Sequence, residues 1–249
     1  MTKDNKKTKG NFIPKVVKLF YPLYIFVIQL IRTNPLLIKY LFKARLLKNR
    51  FCKGGKVSWD FTTLTLKHAL KQRLSHIQHT NISILEIGVG QAALLCIYLA
   101  RKFGIKADGV DIIPQRVERS KQVVQYNSLD LRIWQSDFFQ QVVDKYDLIF
   151  WNASYIPTSF GKHHQLTGRG DLGDQRAWDG GSDGTRAIQR FLTQAPSFLA
   201  PGGEILLGVN QFYVPEESIS RLLQQTSLTL HERISRRFNP SVVYVLKNK

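Results

Sequence analysis

The sequence predicts a doubly wound α/β fold, in which a mostly parallel, seven-stranded sheet has helices on both faces and follows a basic helical extension. Two observations predict it. Short apolar runs alternate with stretches of helical length and pattern from about residue 80 onward. Several of these runs end abruptly in a carboxylate, a glycine or an amide, at the strand ends where such folds bind ligands. The 249 residues suffice for one such domain with an appendage.

Seven strands and four helices follow from these patterns. The predicted strands are SILEIG (83–88), KADGVD (106–111), LRIW (131–134), YDLIFWN (146–152), EILLGV (204–209), LTLHERISRRF (228–238) and SVVYVLK (241–247). The predicted helices are AALLCIYLARKFG (92–104), PQRVERSKQVVQYN (114–127), GTRAIQRFLTQAPSFL (184–199) and the stretch 215–226. A glycine closes the first helix, and Pro114 suits the first turn of the second. The last two strands predict a hairpin.

Positive charge is concentrated at the N-terminus. The formal net charge is +18, and residues 1–56 hold eleven lysines and three arginines against the single acid Asp4. We predict a disordered basic tail over residues 1–10, an apolar and basic helical segment over 11–55, and the main domain over 56–249. Such asymmetry suggests an anionic partner.

Three alternatives remain open for the segment 11–55. It packs on the main domain as an accessory, or residues 11–50 lie on an anionic membrane surface, or the segment grips RNA. A helix predicted over Pro35–Phe51 places most of its apolar residues on one face, namely Leu36, Leu37, Tyr40, Leu41 and Leu47.

The cysteine content limits the class of protein. Cys52 and Cys96 cannot form a disulfide framework, and no metal-ligand spacing surrounds them. We therefore expect no metal and a reducing, cytoplasmic location, with peripheral attachment to a membrane as the alternative.

The first strand end carries a ligand-binding pattern. Glu86 precedes Gly88 and Gly90, and glycines there let the backbone approach a ligand closely. The spacing also fits the dinucleotide fingerprint G-x-G-x-x-A, so a nicotinamide enzyme is a rival interpretation. Asp111, after the second strand, suits ribose hydroxyls, and Asp137, after the third, suits an adenine amino group. A carboxylate at position 86 suits a cationic ligand better than a pyrophosphate.

In order and spacing, the segments ILEIGVG, GVDI, SDFF and YDLIFWNASYIP resemble the class I S-adenosylmethionine-dependent methyltransferases. WDGGSDGTRAIQRFLTQAPSFLAPGGEILL is similar to the segment that follows the N-P-P-Y motif in the HemK/PrmC group, which methylates the side-chain amide of glutamine in release factors. The resemblance covers residues 80–249. It implies S-adenosylmethionine as cofactor, held by Glu86, Gly88, Gly90, Asp111, Ile112, Asp137, Phe138 and Asn152.

The resemblance also places the NASY tetrapeptide where the group has N-P-P-Y. It implies that Asn152 and Tyr155 are catalytic and that Asn152, Ala153, Tyr155 and Pro157 bind the substrate. The Asn152 carbonyl and the Ala153 backbone carbonyl would accept the two N–H groups of the acceptor nitrogen, and Tyr155 would offer a stacking face. Ala153 and Ser154 replace two prolines, which removes their rigidity.

We therefore expect a methyltransferase that acts on a nitrogen of a planar acceptor, whether a protein glutamine, a nucleobase or a small molecule. One alternative is a catalytically inactive protein of this fold that binds membrane or RNA. A nicotinamide-dependent oxidoreductase is the lesser alternative.

Overall fold

The computed structural model describes residues 31, 33–46, 57, 59–75, 82–167, 173–237 and 239–249. The predictions for the tail 1–10 and for residues 11–30 and 47–55 lie outside these described residues.

Seven strands form one sheet, as the sequence predicts. They are β1 (Ile84–Ile87), β2 (Asp108–Asp111), β3 (Ile133–Gln135), β4 (Tyr146–Asn152), β5 (Leu199–Asn210), β6 (Leu228–Ser235) and β7 (Ser241–Asn248). Their order across the sheet is β3-β2-β1-β4-β5-β7-β6. The first five run parallel, and β7 is antiparallel to both β5 and β6. Strands β2 and β3 lie on one side of β1, and the chain then crosses back to place β4 and β5 on the other side. Sheets of this kind open a crevice for ligands between the two strands where the strand order reverses, here β1 and β4.

Helices cover both faces of the sheet. They are α1 (Pro35–Phe42), α2 (Phe61–Leu74), α3 (Leu94–Phe103), α4 (Pro114–Tyr126), α5 (Thr158–His163), α6 (Arg186–Gln194) and α7 (Glu216–Gln224). Apolar residues of α1 to α4 form one core with one face of the sheet, and those of α6 and α7 form a second core with the other face. Alternate β1 residues point to opposite cores, with Ile84 in the first and Leu85 in the second. The predicted doubly wound architecture is therefore confirmed.

One predicted helix boundary is wrong. The helix expected to reach Leu199 ends at Gln194, and a 3₁₀ turn over Ala195–Phe198 follows it. Pro196 lacks an amide hydrogen, so the α-helical bond it would donate cannot form. Strand β5 then begins at Leu199 and runs through the Pro201–Gly203 turn, so it is twelve residues long.

Helix α2 was not predicted. Its apolar face is interrupted because Thr62 and Thr65 are both completely buried. Close packing on β5 is possible because position 208 is glycine: a Cβ atom there would lie 2.7 Å from Thr62 Cγ2 and 2.9 Å from Leu66 Cδ1. The helix N-terminus consequently sits directly against the ends of the central strands.

Helix α1 corrects the prediction for residues 35–51. It ends at Phe42, where Lys43 takes a left-handed conformation with φ of 57°. Ile38 and Phe42 are fully buried against the main domain, whereas Leu36 and Tyr40, assigned to the apolar face, are 77% and 79% exposed. Two residues of this helix, Ile38 and Phe42, thus pack on the main domain. Within the described ranges, no helix combines the length and hydropathy that a bilayer crossing requires.

Candidate functional site

A large cavity of about 1630 Å³ opens at the carboxyl ends of the parallel strands. Its lining includes ten of the eleven residues that the sequence analysis assigned to the site: Glu86, Gly88, Gly90, Asp111, Ile112, Asp137, Phe138, Asn152, Ala153 and Tyr155. Pro157 is not among the lining residues; it precedes the first turn of α5. The topology therefore brings residues from four strand ends into one place.

The loop after β1 depends on its glycines. Gly88 and Gly90 have φ values of 70° and 67°, a region that residues with a Cβ atom rarely adopt. The Gly90 N–H donates to Asp111 Oδ2 at 3.0 Å, and the Ile113 N–H donates to Asp111 Oδ1 at 2.9 Å. The buried Asp111 carboxylate is thus fixed between two loops, and each of its oxygens keeps a lone pair that can accept a further hydrogen bond.

Glu86 is a buried acidic residue in β1, one residue before the end of the strand. Burial raises its pKa to about 8, although the hydrogen bond from Cys96 Sγ, 2.9 Å from Oε2, opposes the rise. The nearby Asp111 carboxylate raises the pKa further. A cation placed beside Glu86 would stabilise the ionised form, so this position favours a positively charged ligand.

Asp137 and Phe138 form the wall beside β3. Both carboxylate oxygens of Asp137 accept hydrogen bonds from Arg190 Nη1, at 2.9 and 2.8 Å. The same guanidinium lies 5.0 Å from the centroid of the Phe138 ring. Phe138 packs edge-on against Trp151, with ring centroids 5.1 Å apart. Arg190 therefore fixes the direction in which the carboxylate of Asp137 faces the cavity.

Asn152 ends β4 with its amide in one defined orientation. Nδ2 donates to Asp60 Oδ1 at 3.1 Å and to Thr63 Oγ1 at 3.2 Å. A carboxylate only accepts hydrogen bonds, so the amide nitrogen, and not the oxygen, must face Asp60. Asn152 Oδ1 is buried and has no hydrogen-bond partner among the described residues. Buried polar atoms without partners are rare in folded proteins, and this one belongs to a residue that lines the cavity.

Tyr155 is buried and held at its hydroxyl. Its Oη lies 3.2 Å from Asp60 Oδ2, to which it donates, and 3.0 Å from Thr62 Oγ1. Burial, assisted by the Asp60 carboxylate, raises the pKa of Tyr155 well above its ordinary value. One ring face is stacked on Tyr213, with centroids 5.8 Å apart and planes 24° apart. Because Tyr213 covers this face of the Tyr155 ring, a substrate cannot stack on the same face.

The two residues that replace proline are tied down by hydrogen bonds. The Ala153 N–H donates to the Gly208 carbonyl at 3.0 Å, a bond that proline cannot make. Ser154 Oγ donates to the Ala177 carbonyl at 3.3 Å. These bonds anchor the NASY loop to β5 and to the segment before Trp178.

Sequence reasoning missed a group of site residues at the start of α2, namely Asp60, Thr62 and Thr63. Asp60 caps the helix: its Oδ1 accepts from the Thr63 N–H at 2.7 Å, and the Asp60 N–H donates to Thr63 Oγ1 at 3.4 Å. The pattern Asp-x-x-Thr before a leucine-containing stretch is the signal that predicts such a start. Trp59 and Trp178 were also missed; both line the cavity, and the Nε1 atom of each is buried without a partner among the described residues.

Similarity to known proteins decides the family. A putative protein N5-glutamine methyltransferase from Methanocaldococcus jannaschii is 34% identical over 142 residues, which are 57% of this chain and 68% of that protein. The chain belongs to the HemK-like family of S-adenosylmethionine-dependent methyltransferases. The nicotinamide alternative is thereby disfavoured, and S-adenosylmethionine is the cofactor.

Other HemK-like relatives match more weakly. The release factor glutamine methyltransferase of Geobacter sulfurreducens is 27% identical over 132 residues, 52% of this chain and 46% of that protein. The human methyltransferase HEMK2 is 25% identical over 194 residues, 74% of this chain and 85% of that protein. The chain thus spans about half the length of the bacterial relative. No family model matches the sequence.

Solved structures share the fold. A methyltransferase from Pyrococcus furiosus superposes with a TM-score of 0.55 at 15% identity and covers 91% of this chain and 96% of its own. The Thermus thermophilus 16S rRNA N2 G1207 methyltransferase, in complex with AdoMet and guanosine, superposes with a TM-score of 0.56 at 22% identity, over 79% of this chain and 45% of its own.

The donor set of the HemK-like cavity fits S-adenosylmethionine. Glu86 would meet the cationic end, Asp111 the ribose hydroxyls and Asp137 the adenine amino group. Gly88 has a φ of 70°, which a residue with a Cβ atom rarely adopts, and it leaves the backbone of the loop open to close approach by a ligand. This arrangement suits a ligand that carries a sulfonium and no phosphates.

Proposed function

We propose that this methyltransferase modifies the side-chain amide nitrogen of a glutamine in a protein substrate. The observation that carries the proposal is the buried, unpaired Oδ1 of Asn152, in an amide whose orientation Asp60 fixes. A carboxamide N–H is the natural partner for such an oxygen.

The chemistry requires positioning more than a base. An amide nitrogen is a weak nucleophile because its lone pair is delocalised into the carbonyl. Asn152 Oδ1 accepts one N–H of the substrate, and the Ala153 carbonyl accepts the other; among the described residues, no backbone hydrogen bond ends on that carbonyl. Held between two acceptors, the nitrogen presents its lone pair to the cofactor side of the cavity. S-adenosylmethionine, when held by Glu86, Asp111 and Asp137, would supply an electrophilic methyl group. The nitrogen would form a bond to the methyl carbon, the electron pair of the broken carbon–sulfur bond would stay on sulfur, and the nitrogen would release one proton to water.

Two unpaired indole groups support a carboxamide acceptor. Trp59 Nε1 and Trp178 Nε1 are buried donors without partners among the described residues, and both residues line the cavity. A carboxamide offers both an N–H₂ group and a carbonyl oxygen, so it complements an orphaned acceptor and an orphaned donor together. The names of the archaeal and bacterial relatives, which specify glutamine, agree with this choice.

Incubation with isotopically labelled methyl donor tests the proposal. The substrates are a peptide release factor and a version in which each candidate glutamine is replaced by asparagine, and peptide mass spectrometry locates the label. We expect one added methyl group on glutamine in the first and none in the second. Methylation confined to nucleic acid or to lysine would contradict the proposal, and an Asn152→Ala chain controls for contaminating activity.

The membrane-surface prediction for residues 11–50 is a separate proposal, as is the cytoplasmic location. The exposed Leu36 and Tyr40 of α1 support contact with a membrane surface. Lys39 lies in the last turn of the same helix, and Lys43 follows at its C-terminal end. Flotation with vesicles rich in phosphatidylserine compares the unmodified chain with a Leu36→Ser, Tyr40→Ser variant, which removes the exposed apolar side chains and keeps the buried Ile38 and Phe42 of α1. Equal flotation of the two chains would remove the case for this segment.

A further inference from the structure

The N-terminus of α2 reaches both side chains on which the proposed function depends. Asp60 is 92 residues before Asn152 and 95 before Tyr155, yet its carboxylate contacts both. Oδ1 accepts from Asn152 Nδ2 at 3.1 Å, and Oδ2 accepts from Tyr155 Oη at 3.2 Å. One carboxylate therefore bridges the first and last residues of the NASY tetrapeptide.

The hydrogen bonds around Asp60 have a consistent direction. Because Asp60 can only accept, the Tyr155 hydroxyl donates to it. The Thr62 hydroxyl then donates to Tyr155 Oη at 3.0 Å, and the Ser241 hydroxyl donates to Thr62 Oγ1 at 2.9 Å. The chain of bonds starts on β7 and ends on the carboxylate that also holds Asn152.

Helix capping alone does not require this arrangement. The capping function is met by one oxygen, because Oδ1 accepts the Thr63 N–H at 2.7 Å. Serine, threonine or asparagine would serve as well at that position. Only a carboxylate offers a second oxygen that accepts from Tyr155 while the first accepts from Asn152.

We propose that Asp60 is a positioning residue for methyl transfer. It holds the Asn152 amide so that Asn152 Oδ1 is left to accept from the substrate nitrogen, and it fixes the Tyr155 ring through the Tyr155 hydroxyl. This inference rests on the proposed function. Asp60 acts through the two NASY side chains and takes no proton in the reaction. Its removal should therefore affect turnover more than binding of the cofactor.

Two substitutions separate positioning from capping. Asp60→Ser keeps a capping oxygen but is too short to reach Asn152 and Tyr155. Asp60→Asn keeps one oxygen for the Thr63 N–H and Asn152 Nδ2, and its own N–H₂ group donates to Tyr155 Oη. As a matched control, Asn34→Ala removes the side-chain cap of α1, whose Oδ1 accepts from the Leu36 and Leu37 N–H groups; Asn34 is not among the residues that line the cavity.

We expect kcat with glutamine substrate to fall about 100-fold in Asp60→Ser, the scale of a displaced reacting group, and about tenfold in Asp60→Asn. The dissociation constant for S-adenosylmethionine should stay within about threefold, because the carboxylate does not hold the cofactor. The Asn34→Ala chain should lose roughly 2–4 °C in Tm and keep its kcat.

A second readout needs no turnover. In protein labelled with ¹⁵N-asparagine, the side-chain N–H₂ protons of Asn152 should exchange with water at least about fivefold faster in Asp60→Ser than in the unmodified chain, because a hydrogen bond of about 1 kcal/mol is lost. Wild-type kcat in Asp60→Ser, or unchanged exchange in that variant, overturns the inference. Absence of glutamine methylation by the unmodified chain would overturn the proposed function instead, and the exchange measurement still decides whether Asp60 holds Asn152.

Discussion

The Glu86 carboxyl group and the Cys96 thiol form a buried pair, with Sγ 2.9 Å from Oε2. The thiol is a weak donor and offsets little of the cost of burying a charge. The pKa of Glu86 therefore stands at about 8, and the carboxyl group is mostly protonated at neutral pH without ligand.

Cofactor binding should release a proton from Glu86. A cationic ligand favours the ionised carboxylate, so at pH 7 the unmodified chain should release about one proton more per bound S-adenosylmethionine than Glu86→Gln does. Isothermal titration calorimetry in two buffers of different ionisation enthalpy measures this number. Equal proton release by the two chains would show that Glu86 stays neutral in the complex.

The same raised pKa fixes the sign of a stability effect. Glu86 holds its proton up to about pH 8 when folded but only to its ordinary value of 4.5 when unfolded. The folded state thus binds more protons between those values, and this group makes the ligand-free protein less stable as pH rises from 4.5 to 8. The Tm of the wild type minus that of Glu86→Gln should fall over this range; a flat difference would contradict the assignment.

Loss of the Asn152 amide should stop turnover and spare the cofactor. Asn152→Ala removes one of two proposed acceptors for the substrate nitrogen, and we expect kcat to fall about 100- to 1000-fold. Affinity for S-adenosylmethionine, measured by calorimetry, should change less than about threefold. Asn248→Ala, which removes an exposed amide at the end of β7, is the control. Weak cofactor binding with normal turnover at saturation would assign Asn152 to the cofactor alone.

Asp137 should discriminate the base of the cofactor. We expect the wild type to bind S-adenosylmethionine about tenfold more tightly than an analogue in which hypoxanthine replaces adenine, since one hydrogen bond to a carboxylate is lost. Asp137→Ala should bind both ligands alike, and Asp130→Ala, at a largely exposed ion pair with Lys106, should keep the preference. A preference that survives in Asp137→Ala would place the adenine elsewhere.

Gly184 should tolerate no side chain. Its φ is 82°, and a Cβ atom would lie 2.4 Å from the Tyr155 carbonyl oxygen and 2.9 Å from Val214 Cγ2. Gly202 has a similar φ of 78° but open space around it. In chemical denaturation we expect Gly202→Ala to cost about 1 kcal/mol and Gly184→Ala at least about 3 kcal/mol. Similar losses at the two positions would mean that the Tyr155 backbone moves aside freely.

The strand ends could be predicted because their chemistry is local. Continuous apolar runs identify β1 and β4 as strands buried on both faces, and parallel connections bring their carboxyl ends to one edge. Gly88, Asp111 and Asn152 follow directly from that logic. These residues needed no knowledge of distant contacts.

Helix α2 and its site residues could not be found in the same way. Thr62 and Thr65 are buried through hydrogen bonds to other residues, with Thr65 Oγ1 donating to the Phe61 carbonyl at 2.8 Å. The buried apolar residues of this helix, Leu66, Ala69, Leu70 and Leu74, begin only after these threonines, so apolar periodicity does not mark the start of the helix. The role of Asp60 depends on Asn152 and Tyr155, which are more than ninety residues away, so no local pattern reveals it.

The hydrogen bond between Thr62 and Ser241 has a consequence for biosynthesis, because it joins residues 179 positions apart. Ribosomes add amino acids from the N-terminus, so α2 emerges long before β7 can take its place between β5 and β6. The hydrogen bonds that run from Ser241 through Thr62 to the Tyr155 hydroxyl can therefore be completed only after translation has passed Ser241.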